Sequence, residues 1–354
     1  MKALIKTVLA KLQLWLLKLM LMLPDKWKIA MAGGEPLTRG GRTLDPDTQL
    51  IIHSLSRQPS FATMEPEVAQ ARALESVGLF AQKPDPGIVT DDFTIPSRGA
   101  HKIPVRVYRP RGQDPNAPLM AYWHQGGGVI GNIEFSDAFC RLIAEIVKCP
   151  ILSVDYRLAP QHKYPAGLED CLDAYDWALK HAGEFGAPAG RLTIGGDSMG
   201  GNFTAIIAQE ARRQGLPTPD LQLMLYPATD IVTDFPSHTT FGDIDPLTME
   251  TMDWFMDQYL PEGTDKTDPL LCPGLEPDLE GLAPAIIATA GFDVLADDGA
   301  SYANKLKEAG VDVTFKCYDH LAHGFTAFMG VVPAARKACE EIAVMVRTAY
   351  GKLS

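Results

Sequence analysis

The sequence predicts an α/β fold in which a mostly parallel, eight-stranded twisted sheet is flanked by helices. Short β-rich runs alternate with longer helical patterns from about residue 90 onward, a rhythm typical of βαβ units. Several β-rich runs are apolar throughout, as expected of parallel strands buried on both faces. The 31 Gly and 27 Pro among 354 residues indicate many turns and argue against a coiled coil or a helical array.

The β-rich runs give eight strands along the chain. The first two, at 93–96 and 103–108, are predicted to form a hairpin. The other strands are predicted at 119–123, 151–154, 192–194, 221–225, 286–290 and 311–318. Helical patterns between and after the strands lie at 137–148, 167–182, 200–213, 296–309 and 334–349. Residues 33–90 are rich in Gly, Pro and polar residues, and one helical stretch is predicted there, near 64–79.

The segment 227–265 interrupts this rhythm between two strands. It contains Asp, Thr and Pro turns, followed by a helical pattern near 249–259. We interpret it as an insertion that lies over the top of the sheet.

The composition excludes some classes of function. The chain has 32 Lys or Arg against 44 Asp or Glu, a formal net charge of −12, whereas a nucleic-acid surface needs basic residues. With 46% hydrophobic residues the chain can bury a large core, so extensive disorder is not expected. The six cysteines show no CxxC or Cys/His spacing, which argues against zinc and thioredoxin-like sites and favours free thiols in a reducing compartment.

The N-terminal residues 1–23 are strongly apolar but interrupted by lysines. These lysines fall on two opposite sides of a helical projection, so the segment has no single polar face. Four interpretations are open: a membrane span, a helix on a membrane surface, a cap helix over an apolar site, and a signal-like segment ending at the Ala-x-Ala pattern of 30–32. We favour the cap helix or the membrane-surface helix.

The strongest local signal is the G-x-S-x-G pattern of Gly196, Ser198 and Gly200, between a predicted strand and a predicted helix. A serine in such a sharp turn projects out of the sheet, and the N-terminus of the following helix favours developing negative charge. The bare pattern also fits a glycine-rich turn without chemistry, but the strand–turn–helix context favours a nucleophile at Ser198.

A serine nucleophile needs a base, which in this topology follows it in the chain. His320 and His323 are the only histidines C-terminal to His238, and both follow the last predicted strand. Loops after strands at the carboxyl edge of a sheet can bring a base to such a serine. We expect His323 to be the base, although any single loop histidine is more often without a catalytic role.

The acid of such a site should follow the preceding strand. Asp293 is the first acidic residue after the strand at 286–290, and it would hold the imidazole tautomer and stabilise the imidazolium. Asp297, Asp298 and Asp319 are its rivals. The first two are expected to open the next helix, where carboxylates are favoured by the helix dipole.

A glycine-rich loop, Gly126-Gly127-Gly128, follows the predicted strand at 119–123. Consecutive glycines let backbone N–H groups point at a ligand, so the loop suits an oxyanion or a phosphate. A phosphate loop would continue with Lys and Ser or Thr, and the residues 129–131, Val-Ile-Gly, supply neither.

With these residues in place, the chain from about 85 to 350 resembles the hormone-sensitive-lipase-like esterases, the bacterial family IV group of α/β-hydrolases. The matching motifs are His124-Gln125-Gly126-Gly127 for HGGG, 156–166 (YRLAPQHKYPA) for YRLAPEHxxPA, 196–201 (GDSMGG) for GDSAGG, Asp293-Val294-Leu295 for DPL, and His323-Gly324-Phe325 for HGF.

The resemblance implies an α/β-hydrolase fold with a helical cap. The cap would be built from 1–85 and 227–265, and the catalytic domain from 86–226 and 266–354. The resemblance also implies an oxyanion hole and a substrate pocket. The reaction that it implies requires no metal or organic cofactor. The implied oxyanion donors are the N–H groups of Gly126, Gly127 and Met199, and the implied pocket residues are His124 and Gly128.

The sequence departs from the family pattern at four positions. Gln125 replaces the first glycine of HGGG, but the expected donors are the next two residues. Gly128 stands where the family often has a bulky aromatic residue, and our hypothesis is that it widens the pocket. Val294 replaces a proline of the acid loop, and His320 replaces a frequent glycine, which leaves a second imidazole nearby.

The sequence thus predicts a carboxylesterase that hydrolyses short- to medium-chain or aryl esters through a Ser-His-Asp triad and an acyl-enzyme. An arylamide deacetylase, an interfacial lipase and a non-catalytic ligand-binding relative are the alternatives. The expected partner is a small-molecule ester and not nucleic acid, with membrane-surface contact through 1–23 and a homodimer left open. The expected location is cytoplasmic, peripheral at a membrane if 1–23 binds one.

Overall fold

The centre of the molecule is an eight-stranded sheet. The structure, a computed structural model, describes residues 16–80 and 86–353. A separate two-stranded hairpin is formed by β1 (Thr38–Arg39) and β2 (Arg42–Thr43). The main sheet has the order β10-β9-β8-β7-β5-β6-β4-β3. Its strands are β3 (Ile88–Pro96), β4 (Lys102–Pro110), β5 (Leu119–Trp123), β6 (Ile151–Val154), β7 (Leu192–Asp197), β8 (Gln222–Leu225), β9 (Ala285–Phe292) and β10 (Val313–Ala322).

One strand of this sheet, β4, runs in the direction opposite to the other seven. The hairpin strands β3 and β4 are antiparallel to each other, and β4 is antiparallel to β6. From β6 to β10 all neighbours are parallel, with β5 between β6 and β7. The chain passes from β5 to β6 on one side of it and then returns to β7 on its other side. At such a reversal of strand order, the carboxyl ends of β5 and β7 leave a crevice where loops meet.

Helices cover both faces of the sheet. Their bounds are α1 (Asp25–Met31), α2 (Pro46–Ser56), α3 (Pro66–Phe80), α4 (Ile133–Val147), α5 (Ala166–His181), α6 (Met199–Arg213), α7 (Pro236–Phe241), α8 (Met249–Tyr259), α9 (Ala296–Glu308), α10 (Phe325–Phe328) and α11 (Pro333–Leu353). Residues 16–21 are helical as well. Among the described residues, none of the helices is both long and apolar enough to cross a membrane.

Strand β5 contributes side chains to two apolar cores, one on each face of the sheet. Ala121 and Trp123 belong to the apolar cluster that includes α5 and α6, whereas Met120 and Tyr122 belong to the cluster that includes α4 and α11. All four side chains are fully buried. Because successive side chains of a strand point to opposite faces, a continuous apolar run is what a central parallel strand between two helical layers requires.

The predicted α/β fold with eight strands is confirmed, and most element bounds agree within a few residues. The hairpin and the last strand differ: β3 begins five residues earlier than predicted, at Ile88, and β10 continues to Ala322. Both are edge strands with many partly exposed residues, so their apolar signal is weak.

The prediction of a single helix in 33–90 was wrong, because α2 is also helical. Asp45 caps this helix by accepting a hydrogen bond from the Thr48 N–H at 2.9 Å, and Pro46 occupies the first turn. Leu50, Ile51 and Ile52 are buried. An Asp-Pro pair before an apolar run is a helix start signal that was available in the sequence.

The chain leaves the sheet between β8 and β9, and this excursion contains α7 and α8. Phe255 and Tyr259 of α8 are buried against the apolar core. The Gln70 amide of α3 donates to the carbonyl oxygens of Val129 at 2.8 Å and Ala159 at 3.2 Å. Both segments therefore contact the loops above the carboxyl edge of the sheet.

The predictions for 1–23 fall largely outside the described residues, because the description begins at residue 16. The six cysteines are free thiols, five of them buried and Cys317 partly buried.

Candidate active site

Ser198 occupies a sharp turn between β7 and α6. Its φ is 56° and its ψ is −115°, a conformation that a non-glycine residue adopts only at a cost in free energy. A Cβ at Gly196 would overlap the backbone of Gly200, and a Cβ at Gly200 would overlap the carbonyl oxygen of Trp123. The turn can therefore form only with glycine at both positions, as in the G-x-S-x-G pattern.

The structure brings His323 to Ser198. The loop after β10 carries His323, and its Nε2 lies 3.0 Å from Ser198 Oγ. The side chain of His323 is buried. His320 is exposed, and its carbonyl oxygen accepts the Asp45 N–H at 2.9 Å. Of the two C-terminal histidines, His323 is the one in contact with the serine.

Asp293 lies on the far side of the same imidazole. Its Oδ2 is 2.8 Å from His323 Nδ1, and its Oδ1 accepts the Leu295 N–H at 2.9 Å. The carboxylate is buried, with 1% of the residue exposed. The carboxylate can accept only from an Nδ1–H, which leaves Nε2 free to accept the proton of a serine hydroxyl.

The rival acids have other partners. Asp298 is buried and accepts the N–H of Thr229 at 2.7 Å. Asp297 accepts the N–H of Ser237 at 2.9 Å. Both lie in the first turn of α9, as predicted, and both also hold the segment that follows β8. Asp319 forms an ion pair with Arg42 at 2.9 Å.

The glycine loop passes beside Ser198. Gly126, Gly127 and Gly128 have φ values of 128°, 62° and 72°, which favour glycine. Among the described residues, the N–H groups of Gly126, Gly127 and Met199 donate no backbone hydrogen bond, and all three residues line the cavity above Ser198. Unpaired N–H groups at a cavity wall can bind an oxyanion.

His124 and Gly128, expected in the substrate pocket, do not line this cavity. His124 is fully buried: its ring stacks on Tyr156 at 4.2 Å, and its Nδ1–H donates to the Gln125 carbonyl at 2.7 Å. Burial lowers the pKa of His124 to about 4, so the ring is neutral. A Cβ at Gly128 would lie 2.7 Å from the ring of Tyr259. The space beside Gly128 is thus filled by Tyr259 and does not widen the pocket.

The cavity has a volume of about 260 Å³ and a mainly apolar wall. Phe255 and Met256 of α8, Val77 of α3 and Phe135 of α4 contribute to it, together with Ser198 and His323. A neutral, partly apolar ligand suits such a wall.

Two lining carboxylates, Glu134 and Asp137, are neutralised by arginine. Arg106 lies 2.9 Å from Glu134 and 3.1 Å from Asp137, and Arg141 pairs with Asp137 at 2.7 Å. At these two positions the cavity wall therefore carries no unpaired carboxylate, although the chain as a whole is acidic.

Sequence reasoning missed a buried polar cluster behind the site. Asp197 accepts hydrogen bonds from Ser136 at 3.2 Å and from the Tyr226 hydroxyl at 3.1 Å. The Thr326 hydroxyl lies 3.2 Å from the same carboxylate. Burial raises the pKa of Asp197 to about 6. The three partners come from three other segments of the chain, and sequence spacing carries no signal that joins them to Asp197.

Across the described residues there is no group of three or more His, Cys, Asp or Glu side chains arranged to hold a metal ion. The polar atoms around Ser198 are instead a hydroxyl, an imidazole, a carboxylate and backbone N–H groups, which is a set suited to acyl transfer.

Comparison with known proteins agrees with this geometry. Residues 120–327 match the model of an alpha/beta hydrolase fold family. The chain belongs to the hormone-sensitive-lipase-like esterases. It is 42% identical over 313 residues to the carboxylic ester hydrolase LipN of Mycobacterium tuberculosis, which covers 86% of this chain and 82% of that protein. It is 35% identical over 275 residues to an ethyl acetate hydrolase of Pseudomonas putida, which covers 77% of this chain and 86% of that protein.

A solved structure is similar over most of the esterase chain. The hyperthermophilic esterase from the archaeon Pyrobaculum calidifontis superimposes with a TM-score of 0.81 at 34% identity. The match covers 86% of this chain and 98% of the archaeal one. The family and its members show that the protein is a carboxylesterase acting on small-molecule esters.

Proposed function

We propose that this esterase hydrolyses neutral esters by acyl transfer, with Ser198 as nucleophile, His323 as general base and Asp293 as the orienting acid. One observation carries the proposal: the imidazole of His323 bridges the Ser198 hydroxyl at 3.0 Å and the Asp293 carboxylate at 2.8 Å. Such a bridge makes a serine hydroxyl a competent nucleophile at neutral pH.

In the first half of the reaction, Ser198 Oγ forms a bond to the ester carbonyl carbon while its proton passes to His323 Nε2. The carbonyl oxygen becomes an oxyanion, for which the N–H groups of Gly126, Gly127 and Met199 are the proposed donors. The tetrahedral intermediate then breaks its bond to the alcohol oxygen, and His323 protonates the departing alcohol. The acyl group remains on Ser198.

In the second half, water replaces the alcohol. His323 accepts a proton from the water as its oxygen bonds to the acyl carbon, and the same N–H groups hold the second oxyanion. Breaking the bond to Ser198 Oγ returns the proton to the serine and releases the carboxylic acid. Asp293 keeps its charge throughout and stabilises the imidazolium.

The proposed substrates are short- to medium-chain or aryl esters. A cavity of about 260 Å³ with an apolar wall suits a small neutral acyl or aryl group. We also propose that the segments 1–85 and 227–265 form the cap, because α3 and α8 both supply side chains to the cavity.

Two histidine substitutions test the assignment of the base. His323→Ala should lower kcat for p-nitrophenyl acetate by about 10³-fold or more, because the serine then has no proton acceptor. His320→Ala is the matched control, since His320 is exposed and outside the cavity wall, and it should retain nearly full activity. Equal losses in the two variants would contradict the assignment.

A panel of p-nitrophenyl esters of increasing acyl length tests the substrate class. We expect kcat/KM to be highest for short or medium acyl chains and to fall for long ones, because the cavity wall limits length. A rise in kcat/KM that continues to the longest chains would contradict the proposed class while leaving the histidine result intact.

A further inference from the structure

Exposed apolar side chains are concentrated near the N-terminus. The described residues contain eleven large hydrophobic side chains that are exposed, and six of them lie within residues 16–31. Met22 is 82% exposed and Trp27 is 56% exposed. We call these six the N-terminal patch, and its members are Leu16, Leu19, Met22, Leu23, Trp27 and Met31. A concentration of exposed apolar residues on a protein surface marks a place that binds something.

The N-terminal patch belongs to a segment that is packed on the body of the protein. Leu17 and Leu21 pack against the core cluster formed by α4 and α11. The buried Lys28 of α1 binds Asp47 of α2, with Nζ 2.5 Å from Oδ1. Other side chains of the same segment thus hold it in place, while the six side chains of the N-terminal patch remain exposed. Helix α2 also carries Leu55, which lines the cavity.

The charge around the N-terminal patch is opposite to that of the rest of the chain. Residues 1–31 contain six Lys and one Asp, whereas residues 32–354 contain 26 Lys or Arg and 43 Asp or Glu. Lys18 and Lys26 are exposed within the segment, and Lys26 Nζ lies 5.9 Å from the centre of the Trp27 ring. A segregated basic charge next to apolar residues is typical of a surface that binds acidic partners.

These features fit a lipid surface better than a second copy of the chain. Apolar side chains with a tryptophan and flanking lysines suit the boundary between headgroups and acyl chains, and each lysine adds attraction to anionic lipid. A symmetric dimer through the N-terminal patch would instead bring two basic segments together.

We propose that residues 16–31 dock the esterase on membranes that contain anionic phospholipids. The N-terminal patch enters the headgroup region, Lys18 and Lys26 face the lipid phosphates, and the catalytic domain stays outside the bilayer. This docking is independent of the proposed triad, because it involves none of its residues.

Sedimentation with vesicles tests the docking without requiring turnover. The full chain should co-sediment with vesicles of equal parts phosphatidylcholine and phosphatidylglycerol, and more weakly with phosphatidylcholine alone or at high salt. Trp27→Asp and Met22→Asp should each reduce partitioning by about tenfold or more, because each places a charge in the apolar layer. Val89→Asp is the matched control on an exposed apolar residue of β3 and should change nothing.

The lysines have their own matched pair. The double variant Lys18→Glu/Lys26→Glu should reduce partitioning onto the anionic vesicles by about tenfold or more. The control is the double variant Lys102→Glu/Lys266→Glu, which changes the net charge by the same amount at exposed sites elsewhere. This control should have a much smaller effect on partitioning. Trp27→Asp should leave hydrolysis of a soluble ester unchanged.

Three outcomes would overturn the proposal. One is a full chain that does not sediment with anionic vesicles. Another is a loss of sedimentation in Val89→Asp as large as in Trp27→Asp. The third is a dimer in light scattering that Trp27→Asp dissociates in the absence of vesicle binding, which would assign the N-terminal patch to a second copy. Activity on a soluble ester is measured separately, so failure of the docking and failure of the triad remain distinguishable.

Discussion

The ring of Tyr226 stands edge-on to the imidazole of His323, with the ring centres 4.8 Å apart. The Tyr226 hydroxyl donates to Asp197 at 3.1 Å and lies 2.6 Å from the Thr326 hydroxyl. Asp197 immediately precedes Ser198, and Thr326 lies on the helical turn α10 just after His323. Tyr226 therefore contacts both segments that carry the proposed nucleophile and base, and we expect it to be a positioning residue.

Tyr226→Phe should reduce both stability and turnover. The variant keeps the ring beside His323 but leaves the buried Asp197 without one donor, which should lower the free energy of unfolding by about 1–3 kcal/mol. The loss of the hydrogen bond between the Tyr226 hydroxyl and Asp197 should lower kcat several-fold. The KM should change little, because the residues that line the cavity are unchanged. Urea unfolding and steady-state kinetics on a soluble ester measure the two effects.

Tyr318→Phe is the control for this substitution. Its hydroxyl is also buried and donates to the Ala338 carbonyl at 3.2 Å, far along the chain from Asp197. This variant should lose some stability but keep kcat. If both variants lower kcat equally, Tyr226 has no specific role in positioning.

Asp293→Asn should abolish most turnover while the protein stays folded. An asparagine can still accept the Leu295 N–H, but its NH₂ group would face His323 Nδ1 and favour the tautomer with the proton on Nε2. That imidazole cannot accept the serine proton, so kcat should fall by about 10⁴-fold. Steady-state kinetics together with a thermal melt measure the effect.

Asp319→Asn is the matched variant for Asp293→Asn. Asp319 is exposed and paired with Arg42, so its loss should leave kcat close to that of the wild type. A comparable loss of turnover in Asp319→Asn would show that the acid was assigned wrongly.

Most of the fold was predictable because its signals are local. The apolar strand β5 and the glycine-flanked turn at Ser198 are both set by residues that are neighbours in the chain. The juxtaposition of Ser198, Asp293 and His323 was also predicted, because parallel strands deliver their loops to one edge of a sheet. Their catalytic roles stay a prediction until the variants are measured.

The features that were missed depend on contacts between distant segments. Tyr259 is 131 residues from Gly128 in the chain, yet its ring fills the space that we had expected a side-chain-free Gly128 to open. The cluster around Asp197 combines Ser136, Tyr226 and Thr326 from three further segments. No periodicity or local motif encodes such pairings, since they follow from tertiary packing.

Phe255→Leu should shift the acyl-length preference. The Phe255 ring lines the cavity and lies against Gly127, where a Cβ would be 2.5 Å from it. A leucine leaves space beside the proposed oxyanion donors, so the ratio of kcat/KM for longer to shorter p-nitrophenyl esters should rise about threefold or more. Trp254→Leu changes the adjacent buried aromatic residue, which does not line the cavity, and should leave that ratio unchanged.

The buried carboxyl of Asp298 should make stability depend on pH. Burial raises its pKa to about 7, well above the ordinary value of 3.8. Between these two values the folded protein holds a proton that the unfolded chain has released. Its contribution to stability is therefore fully present at the acidic end of this window and is lost as the pH rises through about 7.

Asp298→Asn tests this dependence because asparagine does not titrate. At about pH 5 the protonated aspartic acid resembles the amide, whereas at about pH 8 the wild type must bury a charge. The free energy of unfolding of Asp298→Asn, relative to the wild type, should therefore rise between these two pH values. Urea unfolding followed by circular dichroism at both pH values measures the difference.

Thr229→Val is a second variant, which should extend to higher pH the dependence of stability on pH that Asp298→Asn removes. The hydrogen bond from the Thr229 hydroxyl to Asp298 lowers the pKa of Asp298, so its removal should raise that pKa further. The loss of stability with rising pH should then extend to higher pH than in the wild type. A stability difference between Asp298→Asn and the wild type that stays constant from about pH 5 to about pH 8 would mean that Asp298 is already ionised in the folded protein at about pH 5. The hydrogen bonds from Thr229 would then outweigh burial at this position.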